Sequence, residues 1–93
     1  MLTLDTALRI PAHVSFTFVE EQAVLLNLRT NQYFSLDEVG AHLWALLKEG
    51  KSLREGYQVL LEEYEVEPAQ LEQDVLELME NLKEHGLVEI VQT

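Results

Sequence analysis

A chain of 93 residues carries 17 acidic against 6 basic side chains, a formal net charge of −11, with 47% hydrophobic residues and no cysteine. That length holds one domain with a modest core that buries roughly 60–70% of the unfolded surface, and it leaves no room for a deep, walled active site. The missing thiols exclude a disulfide scaffold, a cysteine–zinc site, an iron–sulfur centre and a thiol nucleophile, and the hydrophobic share argues against intrinsic disorder.

The charge balance bears on partners. Nucleic-acid binding draws on Lys and Arg neutralising phosphates. Six scattered basic residues under eleven excess negative charges make a poor DNA or RNA binder. An anionic membrane surface is disfavoured for the same reason, whereas a basic or neutral peptide is compatible. Met1 to Asp5 lack the basic and long apolar regions of a signal peptide. No apolar run reaches the roughly 18–20 residues of a membrane span. The expectation is a cytoplasmic protein forming one domain over residues 1–93.

In chain order, residues 1–12 form an N-terminal arm ending near Pro11. Val14-Ser15-Phe16-Thr17-Phe18 alternates apolar and polar, which predicts a strand with Val14, Phe16 and Phe18 facing in. Glu20-Glu21-Gln22 reads as a polar turn. Ala23 to Leu28 is a second strand, with Val24, Leu26 and Leu28 on one face. Arg29-Thr30-Asn31-Gln32 is the next turn, where Asn31 tolerates a left-handed conformation. Tyr33-Phe34-Ser35-Leu36 is a short third strand on which Phe34 and Leu36 share a face. Short connections imply an antiparallel meander.

Three helices follow. Ser35 or Asp37 caps the first, which turns Val39, Leu43, Leu46 and Leu47 inward and stops at Gly50. Ser52 and Glu55 form a capping box for the second, whose stripe is Leu53, Tyr57, Leu60, Leu61 and Tyr64. Pro68 suits the first position of the third. Its stripe is Leu71, Val75, Leu78 and Leu82, and Gly86 ends it. Leu87 to Val91 is a short apolar tail, a strand or a packed extension. The predicted fold is α+β: a three-stranded antiparallel sheet followed by a three-helix bundle, winged-helix-like in outline.

Chemistry is scarce. Glu38 and His42 lie one helical turn apart, but no second ligand pair accompanies them, so a solvated helix face explains them better than a metal. His85 falls at the end of the third helix, where a cation suits the macrodipole. The four glycines make no phosphate loop, and no nucleophile has a base in view. Neither a catalytic role nor a cofactor is expected. A carrier protein needs a serine in an Asp-Ser-Leu setting, yet Ser35 follows Phe34 and Ser52 follows Lys51. A winged-helix regulator needs a basic reading helix, and the third helix carries only Lys83.

Protein or peptide binding remains. A small sheet leaves free edges, and the third strand is one of them if the sheet is a simple meander. An extended peptide can add there as a further strand, its backbone giving affinity and flanking pockets giving specificity. On a helical wheel Leu71, Val75, Leu78 and Leu82 fall within about a 60° arc. Met79 flanks that arc on one side and Asp74 and Asn81 on the other. The stripe reads either as a peptide-facing wall or as core, with Met79 filling a gap and Asp74 solvated. A general protein-interaction module using the same edge is the alternative function.

The stretch from Val24 to Trp44, VLLNLRTNQYFSLDEVGAHLW, resembles the PqqD family: an apolar strand, a turn, an aromatic–Leu–Asp strand end, then Gly40-Ala41 and Leu43-Trp44. Gly50-Lys51-Ser52-Leu53, Tyr64-Glu65-Val66, Asp74-Val75, Leu82 and Gly86-Leu87 continue the likeness over roughly residues 14 to 91. Ile10-Pro11-Ala12-His13-Val14 and the Tyr33-Phe34 pair are most similar to the standalone leader-binding proteins of lasso-peptide pathways. Asn31 stands where many relatives carry Gly, and Asp37 where they often have Asn.

The resemblance implies a RiPP recognition element, a peptide chaperone without catalysis of its own. It would grip the leader of a ribosomally made precursor peptide and present it to a partner enzyme such as a leader peptidase. The family binds its leader as an antiparallel strand on the third strand, in a cleft closed by the third helix. Carried over residue by residue, backbone pairing is expected along Asn31, Gln32, Tyr33, Phe34 and Ser35. Floor and wall come from Tyr33, Leu71, Val75 and Leu78, with Asp74 as the polar contact. Monomer and dimer both remain open, since a free edge can pair with itself.

Overall fold

The computed structural model describes residues 2–91. Its elements are β1 (Leu8–Arg9), β2 (Val14–Val19), β3 (Gln22–Asn27), β4 (Gln32–Leu36), α1 (Glu38–Lys48), α2 (Leu53–Glu63), α3 (Pro68–Glu84) and β5 (Glu89–Ile90). Strands β2-β3-β4 form an antiparallel meander, and three helices follow it, as the pattern of turns and stripes requires. The tail pairs as a strand: β5 lies antiparallel to β1, a second, two-stranded sheet that local pattern did not reveal. The arm belongs to the core as well, with Leu2 and Leu4 buried.

Local chemistry sets the element ends. Asp37 caps α1 by accepting from the Gly40 N–H at 2.8 Å, so Asp37 rather than Ser35 takes that role. Ser52 Oγ accepts from the Glu55 N–H at 3.1 Å, and Glu55 Oε1 accepts in return from the Ser52 N–H at 2.8 Å. Pro68 opens α3. Gly50 (φ 95°) and Gly86 (φ 70°) end α1 and α3 in left-handed turns. In each, the residue after the glycine donates back into the helix, Lys51 to the Leu46 carbonyl and Leu87 to the Leu82 carbonyl.

The register decides which face of β3 is buried. Val24, Leu26 and Leu28 do share a face, but it is the outer one, and Leu28 is 54% exposed. Ala23, Leu25 and Asn27 point inward and are buried. The strand is apolar on both sides, so alternation alone could not choose. In that register Leu25 sits between Phe16 and Phe34, whose rings already face the helices. Phe18 lies on the inner face against Phe16, ring centroids 5.5 Å apart, but extends to the hairpin end and stays 47% exposed.

The core runs between this inner face and the helices. Trp44 is buried on α1 and meets Phe16 edge-on at 6.2 Å. Leu43 and Leu46 lie inward with it, while Val39 and Leu47 are half-buried. On α2 the core side is Leu53, Gly56, Tyr57 and Leu60. On α3 it is Leu71, Val75, Met79 and Leu82. Met79 therefore replaces Leu78 in the predicted stripe, and Leu78 is left half-buried. No helix of the described residues is long and apolar enough to cross a membrane.

Candidate functional site: a groove beside an outer strand

β4 is an outer strand of the three-stranded sheet. A groove of about 440 Å³ opens beside its C-terminal end. Ser35, Leu36 and Asp37 line it from the strand and the turn, Val39, Gly40 and Leu43 from α1, and Leu60 and Val66 from α2 and the loop after it. The far side is α3, through Leu71, Asp74, Val75 and Leu78. This is the arrangement strand addition needs: a backbone edge for pairing and an apolar trough for side chains.

The α3 residues divide by depth. Leu71 and Val75 are buried and form the floor. Leu78, half-buried, forms the wall. Asp74 is exposed at the rim, where its Oδ1 accepts from Gln70 Nε2 at 2.9 Å. The lining contains two carboxylates and no Lys, Arg or His. Asp37 caps α1 through Oδ1, and Asp74 is the carboxylate on the α3 side of the groove.

The strand residues are placed unequally. Asn31 takes the left-handed conformation expected of it (φ 61°) and its N–H donates to the Asn27 carbonyl at 2.7 Å. The Gln32 N–H donates to Thr30 Oγ1 at 3.3 Å. Ser35 borders the groove. Phe34 faces inward and meets the His85 ring edge-on, centroids 5.2 Å apart. Tyr33 is not brought to the trough: it lies on the outer face opposite Leu26 and is 72% exposed. As a strand residue it remains on the edge, but its ring is not a wall of the groove.

The groove also contains residues that pattern reading assigned to core or loop. Leu36, Val39, Leu43, Leu60 and Val66 deepen it where α1, α2 and α3 converge. The available signal was Val66, an apolar residue in a polar loop that is 40% exposed. A larger depression, about 530 Å³, lies on the opposite side of α3 over Leu2, Ala69 and Leu76. It adjoins no strand of the three-stranded sheet, and the smaller groove is the one with a backbone edge. At the Glu38–His42 pair, His42 Nδ1 lies 3.4 Å from the Tyr64 hydroxyl. Among the described residues, no three His, Asp or Glu side chains are grouped to hold a metal.

The fold and groove define a small α+β domain with an outer strand beside an apolar trough, and comparison places it further. Residues 22–88 match the family described as coenzyme PQQ synthesis protein D (PqqD). The chain belongs to the PqqD family. It is similar to the solved structure of TbiB1 in complex with the TbiA(beta) leader peptide, with 33% identity and a TM-score of 0.84 over 91% of this chain and 99% of that one. It is also similar to a lasso peptide synthetase B1 complexed with the leader peptide, with 31% identity and a TM-score of 0.79 over 89% of this chain and 98% of that one. No curated protein matches the chain significantly.

Proposed function

We propose that this protein binds the leader segment of a ribosomally made precursor peptide and presents it to a partner processing enzyme, such as a leader peptidase. The leader adds antiparallel to β4 along Asn31 to Ser35. Its side chains enter the trough over Leu71, Val75 and Leu78, and a basic group of the leader meets Asp74. The chain performs no chemistry in this reading. It raises the local concentration of substrate at the enzyme that does.

The observation that carries the reading is the outer strand β4 bordering an apolar groove, in a fold whose 33%-identical neighbour is a leader-peptide complex. The test is a fluorescence-anisotropy titration. One probe is the labelled TbiA(beta) leader; a second is the leader of the precursor encoded beside this protein, with the core segment as control. Micromolar or tighter leader binding, lost on trimming the leader but not the core, supports the role. A folded protein that binds neither leader rejects it.

A further inference from the structure

We infer that Asn27 is a positioning residue for this groove: its side chain ties the turn that starts β4 to the end of α3, and so sets the alignment of edge and wall before a leader arrives. The inference rests on the leader-binding reading.

Asn27 is the one buried polar residue among the described residues, at 4% exposure. It ends β3 on the inner face, where Val14 and Gln32 flank it in register. Its carboxamide is used at both ends. Oδ1 accepts from the Arg29 N–H at 2.9 Å and the Thr30 N–H at 3.3 Å, which shapes the turn leading into β4. Nδ2 donates to the His85 carbonyl at 2.9 Å, at the C-cap of α3. A second bond lies beside it, from His13 Nε2 to the Gly86 carbonyl at 2.9 Å. A Cβ on Gly86 would come within 3.0 Å of Asn27 Nδ2, so the helix end is seated directly on the carboxamide.

This knot lies outside the groove's lining, where Asn27 pairs with Gln32 at the opposite end of β4 from Ser35 and Leu36. The Phe34 and His85 rings meet edge-on, while Leu36, Leu71, Val75 and Leu78 line the groove. Backbone approach between α3 and β4 is sparse, as a groove requires. The separation of wall and edge therefore depends on ties such as this one. A groove held open in its bound shape spares the leader the cost of ordering it. A buried amide with both ends bonded is also a directional device, which apolar packing is not. Asn27→Asp keeps the acceptors that serve the turn and removes the donor to His85, and it also sets a buried carboxylate oxygen against the His85 carbonyl. Gly86→Ala crowds the same bond from the helix side, together with the strain of a side chain in the left-handed turn at φ 70°, and leaves the bonds of the turn into β4 in place.

Three readouts decide the matter on variants shown folded by circular dichroism. NMR follows the Phe34–His85 ring contact, denaturant unfolding gives stability, and anisotropy with the TbiA(beta) leader and the neighbouring precursor's leader gives affinity. The expected result is a weakened ring contact and leader binding about tenfold weaker in both variants, the scale of one lost buried hydrogen bond. A merely structural Asn27 would lower stability and leave the affinity of the folded protein unchanged; that result, or an intact ring contact in both variants, overturns the inference alone. If the unsubstituted protein binds neither leader, the functional reading falls and this inference with it.

Discussion

Val75 and Leu78 stand one turn apart on the same side of α3 and both line the groove, yet Val75 is 3% exposed and joined to the core, whereas Leu78 is half-buried and stands against the open trough. The difference separates a residue that holds the fold from one that is free to serve a ligand.

Substitution of each by Glu should therefore part the two roles. Val75→Glu buries a charge without a partner and should unfold the domain. Leu78→Glu should keep the circular dichroism spectrum and lose leader binding by tenfold or more, roughly 1.4 kcal/mol or above. Leader affinity unchanged in Leu78→Glu would remove the α3 wall from the site. Asp74→Ala should weaken a Lys- or Arg-containing leader and leave an uncharged one unaffected, read by the same titration.

Gly56 faces α1 so closely that a Cβ there would lie 2.7 Å from Leu43 Cδ1. Two effects oppose each other in Gly56→Ala. Helix propensity favours Ala by about 1 kcal/mol, while overpacking a full core costs about 1–3 kcal/mol. Leu43 is 1% exposed and has little room to move, so the clash should win. The expected net loss is about 1 kcal/mol in urea unfolding. Leu43 also lines the groove, and leader affinity should fall with it. A stabilised variant would show that the two helices separate easily.

Trp44 is 1% exposed, and its indole N–H has no acceptor among the described residues. A buried donor left unpaired costs about 1–3 kcal/mol. Trp44→Phe removes that penalty along with some packing volume, so the two should nearly cancel, within about 1 kcal/mol. Trp44→Ala leaves a cavity and should cost about 3–5 kcal/mol. Thermal unfolding of the pair checks the contrast.

Surface carboxyls give the acid response its sign. Arg54 holds Asp5 below its ordinary value through a hydrogen bond and its charge. The backbone N–H and hydroxyl of Ser52 lower Glu55, and Arg9 lowers Glu89. Each folded pKa is depressed. The stabilisation is present above the unfolded values, 3.8 for Asp and 4.5 for Glu, and is lost as pH falls through the folded ones. Glu21 runs the other way, raised by its hydrogen bond to Glu38 and then by that residue's charge. Its ionisation costs stability as pH rises past 4.5. Glu21→Gln should raise Tm near neutral pH and leave it unchanged at about pH 3, where both forms are uncharged. An equal rise at both pH values would assign the gain to something other than charge.

Much of the fold was legible because its signals are local. The Ser52–Glu55 box, Pro68, the two helix-ending glycines and Asn31 each satisfy or shape backbone within a few residues of themselves. The edge beside the third helix was legible too, since three short strands in a meander leave the last one outside. Asn27 was hidden by the choice of face on β3. With Val24, Leu26 and Leu28 all apolar, nothing marked the neighbouring Asn27 as an inward residue, and a polar side chain at a strand end usually meets water. Tyr33 is placed at the groove wall by the family resemblance, whereas alternation along β4 turns its ring outward.

The amino-acid sequence by itself determined the three-stranded meander, the three helices and their order, because caps, turns and helical stripes are chemistry between residues a few positions apart. Only the tertiary structure decided which face of β3 is buried, that Leu8 and Arg9 pair with Ile90 and Glu89, and which α3 residues are floor, wall or core. Those outcomes depend on contacts between segments far apart in the chain. Arg9 bonds Glu89 across 80 residues and Asn27 bonds His85 across 58. Such pairings are set by the packing that closes the core and brings these distant segments side by side.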